Sequence, residues 1–165
     1  MEYAQNADHL YERLIAVVES VTGREAQKFP EERKIGFTFS HKDCRWPVIF
    51  KIAENPLSLS FLAKTHIVVS DERTGDMTMA VSILNEVCSM GRYTFDIKDG
   101  RVFHSCSGIV AGMKLSDDYL AQFCRRMFSE VVLATEGLVE VNDGTLSWEQ
   151  FADQIFKHTD VDDNE

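Results

Sequence analysis

Tyr93-Thr94-Phe95-Asp96-Ile97-Lys98-Asp99-Gly100-Arg101-Val102-Phe103-His104-Ser105-Cys106 is the stretch that decides the fold class. Tyr93, Phe95 and Ile97 occupy alternate positions, and Val102, His104 and Cys106 do so again after the break. A period of two places each set on one face of a half-buried strand. Asp99-Gly100 between them tolerates the positive φ angles of a type I′ turn, which predicts a tight antiparallel hairpin.

The same period recurs upstream. Ile35, Phe37 and Phe39 form one alternating run, Trp46, Val48, Phe50 and Ile52 a second. Leu57, Leu59 and Phe61 begin a third that extends toward Ile67–Val69, after a turn at Glu54-Asn55-Pro56. Each run has one strongly apolar face, the pattern of an antiparallel sheet packed on one side. Pro47 lacks a donor N–H and belongs at a strand start or an edge. Residues 24–33 are polar, contain Pro30 and read as a linking loop.

Helical periodicity surrounds these strands. Leu10, Leu14, Val17, Val18 and Val21 share a face over residues 6–21, and Gly23 ends that helix. Ala80, Ile83, Leu84 and Val87 do the same over 76–89, before Gly91. A third helix is predicted over 117–136, with Ser116 as N-cap, Leu115 and Leu120 as a hydrophobic staple, and Gly137 at C′. A fourth, shorter helix starts at Ser147, where Ser147 and Gln150 form a capping box and Leu146 and Phe151 a second staple. The order is α-β-β-β-α-β-β-α plus a short C-terminal helix. This predicts an α+β fold, an antiparallel five-stranded sheet with helices packed on it. Residues 1–145 are expected to form one domain, and 146–165 an appended amphipathic helix and acidic tail.

The chain has 165 residues, 17 basic against 27 acidic, and a formal charge of −10. That length suits one domain with a sizeable core. The charge disfavours nucleic acid and anionic membranes as partners, because both are polyanions. It is unevenly spread. Residues 1–136 carry 16 basic and 19 acidic residues, a net of −3; residues 137–165 carry only Lys157 against eight acidic residues, a net of −7. The N-terminus has neither a basic nor an apolar region of a secretory signal, and no run reaches the ~18 apolar residues of a membrane span. Cys44, Cys88, Cys106 and Cys124 are irregularly spaced, form no C-x-x-C pair and read as reduced cytosolic thiols. A cytoplasmic location is expected.

The sequence carries no catalytic signature. Asn142-Asp143-Gly144 sounds like a calcium loop, but with Gly144 at its sixth position Val139, Val141 and Gln150 fall where oxygen ligands are required. The stretch reads as a turn feeding a capped helix. His41 and Cys44 lie beside a turn, and His104 and Cys106 share a strand face, yet two loose pairs do not make a zinc site unless the fold joins them. Either pair could serve a thiol nucleophile, with Asp43 or Asp96 as the orienting group. No phosphate-binding glycine loop is present. Asp117-Asp118 suits a helix N-terminus, Asp162-Asp163 is a solvated tail, and Arg125-Arg126 could line a basic spot. No catalytic residue, metal ligand or cofactor is assigned. Trp148, Phe151, Ala152, Ile155 and Phe156 form an apolar stripe on the last helix. That stripe either packs on its own domain or meets a partner; Trp148, Phe151, Ile155 and Phe156 are the candidate partner-binding residues.

The element order, with the stretch from Leu84-Asn85 through Gly91-Arg92-Tyr93-Thr94-Phe95-Asp96-Ile97 to Asp99-Gly100-Arg101-Val102, resembles the YbjN-domain family. That family shares the fold of the class I type III secretion chaperones. The resemblance spans roughly residues 6–136. It implies a cytoplasmic bacterial protein, often a homodimer, that binds another protein or acts in regulation. The expected function is therefore a non-enzymatic protein-binding module whose partner is another protein or a second copy of itself. The alternative is a thiol enzyme or redox sensor built on a Cys/His neighbourhood.

Overall fold

The computed structural model describes residues 6–41 and 44–162. Its elements are α1 (Ala7–Thr22), β1 (Gln27–Phe29), β2 (Lys34–His41), β3 (Cys44–Glu54), β4 (Leu57–Val68), α2 (Thr74–Val87), β5 (Arg92–Asp96), β6 (Arg101–Ile109), α3 (Asp117–Asp143) and α4 (Trp148–Asp162). The strands form one antiparallel sheet in the order β1-β2-β3-β4-β6-β5. The architecture is the expected α+β one, with six strands rather than five. The extra strand, β1, lies in the stretch read as a loop. All three of its residues are exposed, so it leaves no hydrophobic alternation to read. It exists because β2 offers an open edge, with Lys28 opposite Ile35, and it stops at the 3-10 turn Pro30–Glu32.

Two further expectations are corrected. The hairpin turn is not a two-residue type I′ turn at Asp99-Gly100. Asp96 pairs with Arg101, leaving a four-residue loop in which Ile97 is exposed and off the strand. The Asp96 carboxylate accepts the backbone N–H groups of Lys98 and Asp99, a local device that selects the longer turn. Likewise α3 does not end before Gly137 but runs 27 residues to Asp143, and Gly144, at φ 75°, is the left-handed cap. Gly137 lacks a side chain for a packing reason: a Cβ there would lie 2.7 Å from Cδ2 of Phe151. The start signals at Ser116 and at Ser147 with Gln150 are realised: Ser116 caps α3, and Ser147 and Gln150 bond reciprocally at the start of α4. Asn6, read as part of the first helix, is its cap.

The helices cover one sheet face and create two apolar clusters. The larger joins α1 and the first half of α3 to β2, β3 and β4 through Leu10, Leu14, Ile35, Phe50, Phe61, Leu120 and Met127. The smaller joins α2, α4 and the end of α3 to the β5–β6 side through Met77, Leu84, Val102, Leu138 and Phe151. Full burial of each such side chain contributes about 1.5–3 kcal/mol. Thr65, His104, Glu130 and Thr135 are the buried polar side chains among the described residues. Trp46 Nε1 donates to Thr135 Oγ1 at 3.0 Å, and Tyr93 Oη donates to the Glu130 carbonyl at 2.6 Å, so polar bonds tie the two clusters together.

Candidate functional site

Two features stand out once the sheet is assembled: its helix-free face, and a polar cluster on the covered face.

The helix-free face follows from strand register. Partners across the strands point to the same side, so Lys34 and Lys51, Gly36 and Ile49, Ile49 and Leu62, Leu62 and Ser105, and Lys64 and Phe103 form rows on the side away from the helices. None of the described helices packs on this side. Phe29, Ile49, Leu62, Val68 and Ile109 lie on it, each at least 37% exposed. So do Lys34, Arg45, Lys51, Lys64, Arg92 and Arg101; among the described residues these six cations face the acid Asp96 and, at the sheet edge, Glu32, which pairs with Lys34 at 2.7 Å. Lys64 stands 5.8 Å over the Phe103 ring and Lys34 5.7 Å over Phe29, so cationic heads sit directly on apolar surface. A chain with a formal charge of −10 thus keeps a basic, partly apolar sheet face.

The polar cluster is drawn from three elements. Cys88 follows α2, His104 lies on β6 facing the helices, and Glu130 projects from the middle of α3. Cys88 Sγ donates to Glu130 Oε2 at 2.9 Å, His104 Nε2 lies 3.2 Å from the same oxygen, and Sγ and Nε2 are 3.6 Å apart. The other carboxylate oxygen, Oε1, accepts from Ser89 Oγ, Met90 N–H and Arg126 Nε at 2.9, 3.2 and 3.1 Å. Gly91 closes the wall. At its φ of 87° a side chain is strained, and a Cβ would lie 2.6 Å from the Ser105 carbonyl and 3.1 Å from His104 Nε2. His104 Nδ1 is buried without a partner.

Electrostatics follow from these contacts. Burial pushes the Glu130 carboxyl up, but bonds from His104, Cys88, Ser89 and Arg126 outweigh it and hold the pKa down to about 2. Burial, with the bond to Glu130, pushes the Cys88 thiol up to about 12. Burial raises Cys106, and it lifts Cys124 to about 12. These three thiols are protonated at neutral pH, the opposite of an activated nucleophile.

The other candidates from the sequence are placed as follows. His104 and Cys106 do share a face, but the partners bonded to His104 are Cys88 and Glu130, which sequence spacing does not connect. Asp96 is spent on the hairpin turn. His41 and Cys44 are register partners at the end of the β2–β3 hairpin. Their side chains, that of Asp162, and Asp43 and Asp163 lie outside the described residues. Gly144 and Ser147 cap the helices on either side of the 142–150 stretch, and Asn142 donates to the Val68 carbonyl. On α4, Phe151 is buried, Trp148 and Ile155 are partly buried against the smaller cluster, and Phe156 is 45% exposed. Arg125 and Arg126 line a shallow groove of about 490 Å³ with Met90, Tyr119 and Phe123. Among the described residues, no helix is long and apolar enough to cross a membrane.

No family model matches this chain, and no curated protein does. Solved structures share its fold, among them two of low sequence identity. One is a chain of the ExsC–ExsE complex, 16% identical, with a TM-score of 0.57 over 84% of this chain and 98% of that one. The other is YbjN from E. coli, described as a candidate transcription regulator, 14% identical, with a TM-score of 0.58 over 82% of this chain and 93% of that one. The fold anticipated from the element order and the Leu84–Val102 stretch is the fold observed. At these identities the likeness speaks for the fold alone.

Proposed function

We propose that this protein is a non-enzymatic protein-binding module, and that its helix-free sheet face receives an acidic, partly apolar polypeptide segment. The observation that carries this reading is the charge segregation: among the described residues, one face of an otherwise acidic molecule holds six cations, of which only Lys34 is ion-paired to a neighbouring acid (Glu32), together with Asp96 and five exposed apolar side chains. Such a face attracts anionic segments over a Debye length and holds them by burying apolar area. That one structural neighbour is held in a complex with a second protein supports the same reading. A cytoplasmic setting fits Cys88, Cys106 and Cys124, which are free thiols rather than disulfides.

A second copy of this chain is the first occupant to test, which makes a homodimer part of the proposal. Glu149, Asp153 and Phe156 recur at helical spacing on α4, and all three are exposed. That stripe has the chemistry the sheet face lacks. Of the candidate partner-binding residues, Phe156 presents the most surface, and Trp148, Phe151 and Ile155 support the helix that carries it.

The test combines light scattering with fluorescence anisotropy. Labelled peptides of equal length alternate Leu with either Glu or Lys. The acidic peptide is expected to bind, more weakly as salt rises, and Lys51→Glu with Lys64→Glu is expected to weaken it at least tenfold. If self-association occurs through α4, the same pair of changes abolishes it and the added pair Glu149→Lys and Asp153→Lys restores it. Equal binding of both peptides, or tighter binding of single-stranded DNA than of the acidic peptide, would overturn the proposal.

A further inference from the structure

We propose that Cys88, His104 and Glu130 form a three-ligand binding site for a divalent transition metal, zinc being the best match. The three donor atoms, Sγ, Nε2 and Oε2, converge from three separate elements and stand 2.9, 3.2 and 3.6 Å from one another. Sulfur, imidazole nitrogen and carboxylate oxygen around tetrahedral zinc bind at about 2.3, 2.0 and 2.1 Å, which places the ligand atoms roughly 3.3–3.6 Å apart. An ion about 2 Å from all three atoms would therefore sit just off their plane, with the thiol–carboxylate pair opening by about half an ångström.

The surroundings are those of a prepared ligand set. Oε1 of Glu130 is fixed by Ser89, Met90 and Arg126, so Oε2 is left pointing at the thiol and the imidazole. Outer contacts of this kind orient metal ligands. Gly91 keeps space beside His104 Nε2 that any larger residue would take. Cys88 is only partly buried while His104 and Glu130 are buried. The open position thus faces solvent from the Cys88 side, where a water can complete four-coordination. Charge also balances. A thiolate and a carboxylate cancel the ion's two positive charges, and the one charge beyond them, the Arg126 guanidinium on Oε1, is half exposed to solvent. The thiol proton leaves to solvent as the ion enters. The soft sulfur and the imidazole exclude calcium and magnesium, which prefer oxygen donors.

The experiment uses the full-length protein, stripped with a chelator and checked for folding by circular dichroism. Cobalt(II) is then titrated in as the probe. The expected result is a thiolate-to-cobalt charge-transfer band and tetrahedral d–d absorption, both saturating at one equivalent and both erased by added zinc. Cys88→Ser should remove the charge-transfer band, while Cys124→Ser should keep it. Zinc should raise the melting temperature of the wild-type protein and leave that of Cys88→Ser unmoved. The site is refuted if the folded wild-type protein shows no such band at one equivalent, or if the band survives Cys88→Ser.

Discussion

Gly137→Ala is expected to destabilise the protein, although the same change in an exposed helix does the reverse. In the middle of a helix, alanine is favoured over glycine by about 1 kcal/mol. Gly137 lies inside α3, so the backbone would accept the change. The obstacle is Phe151, whose ring stands on that glycine. A Cβ would come within 2.7 Å of Cδ2, against the roughly 3.5–4.0 Å of an ordinary carbon–carbon contact. The ring must therefore retreat by about 1 Å. It cannot turn into solvent cheaply, because Phe151 is only 1% exposed and full burial of such a ring contributes about 1.5–3 kcal/mol. Overpacking of this kind costs about 1–3 kcal/mol, more than the helix gains. The net expectation is a loss of about 1 kcal/mol, a fall of roughly 2–4 °C in melting temperature for a chain of this size. Urea unfolding followed by tryptophan fluorescence measures it, with an unchanged m-value showing that the unfolded state is unaffected. Phe151→Leu in the same background should recover part of the loss, since the two sites touch and their effects do not add. A Gly137→Ala protein more stable than wild type would refute the reasoning, and would show that α4 does not rest on α3.

Three other outcomes follow from the buried polar groups. Thr135→Val keeps the shape of the side chain but leaves Trp46 Nε1 without its acceptor, which should cost about 1–3 kcal/mol by urea unfolding. The Glu130 carboxyl lies near 2 in the folded protein against an ordinary 4.5, a difference worth on the order of 3 kcal/mol. Because its pKa is depressed on folding, that stability is present above pH 4.5 and is lost as pH falls toward 2, so Glu130→Gln should flatten the acid limb of the stability curve. Cys88, Cys106 and Cys124 should label slowly in the native metal-free protein at pH 8 and fast in urea; rapid native labelling of Cys88 would revive a thiol-based activity.

The signals legible in the sequence were those in which cause and effect lie within a few residues. Ser116, Ser147 and Gln150 cap helices because a side chain three positions away meets an orphan N–H, and spacing alone reveals that. The strands were legible because Phe50 and Phe61 repeat on one face. What escaped reading depends on distant partners. Gly137 looked like a helix end because the phenyl ring that requires it is fourteen positions on. β1 has no inward apolar residue and owes its existence to the edge it meets. Glu130 was hidden in the stripe of α3, and its contacts to His104 and Cys88 span gaps that no local motif covers.

The polar seam between the two apolar clusters has one more consequence. Oil slides on oil: two greasy half-cores pressed together could settle in several relative positions at little difference in energy. Trp46 to Thr135, Tyr93 to the Glu130 carbonyl and Thr65 to the Val102 carbonyl each accept only one alignment. A shift of a single step would strand every one of these groups away from water, at about 1–3 kcal/mol apiece. The seam therefore acts as an indexing key, which makes the molecule choose one arrangement over its near misses.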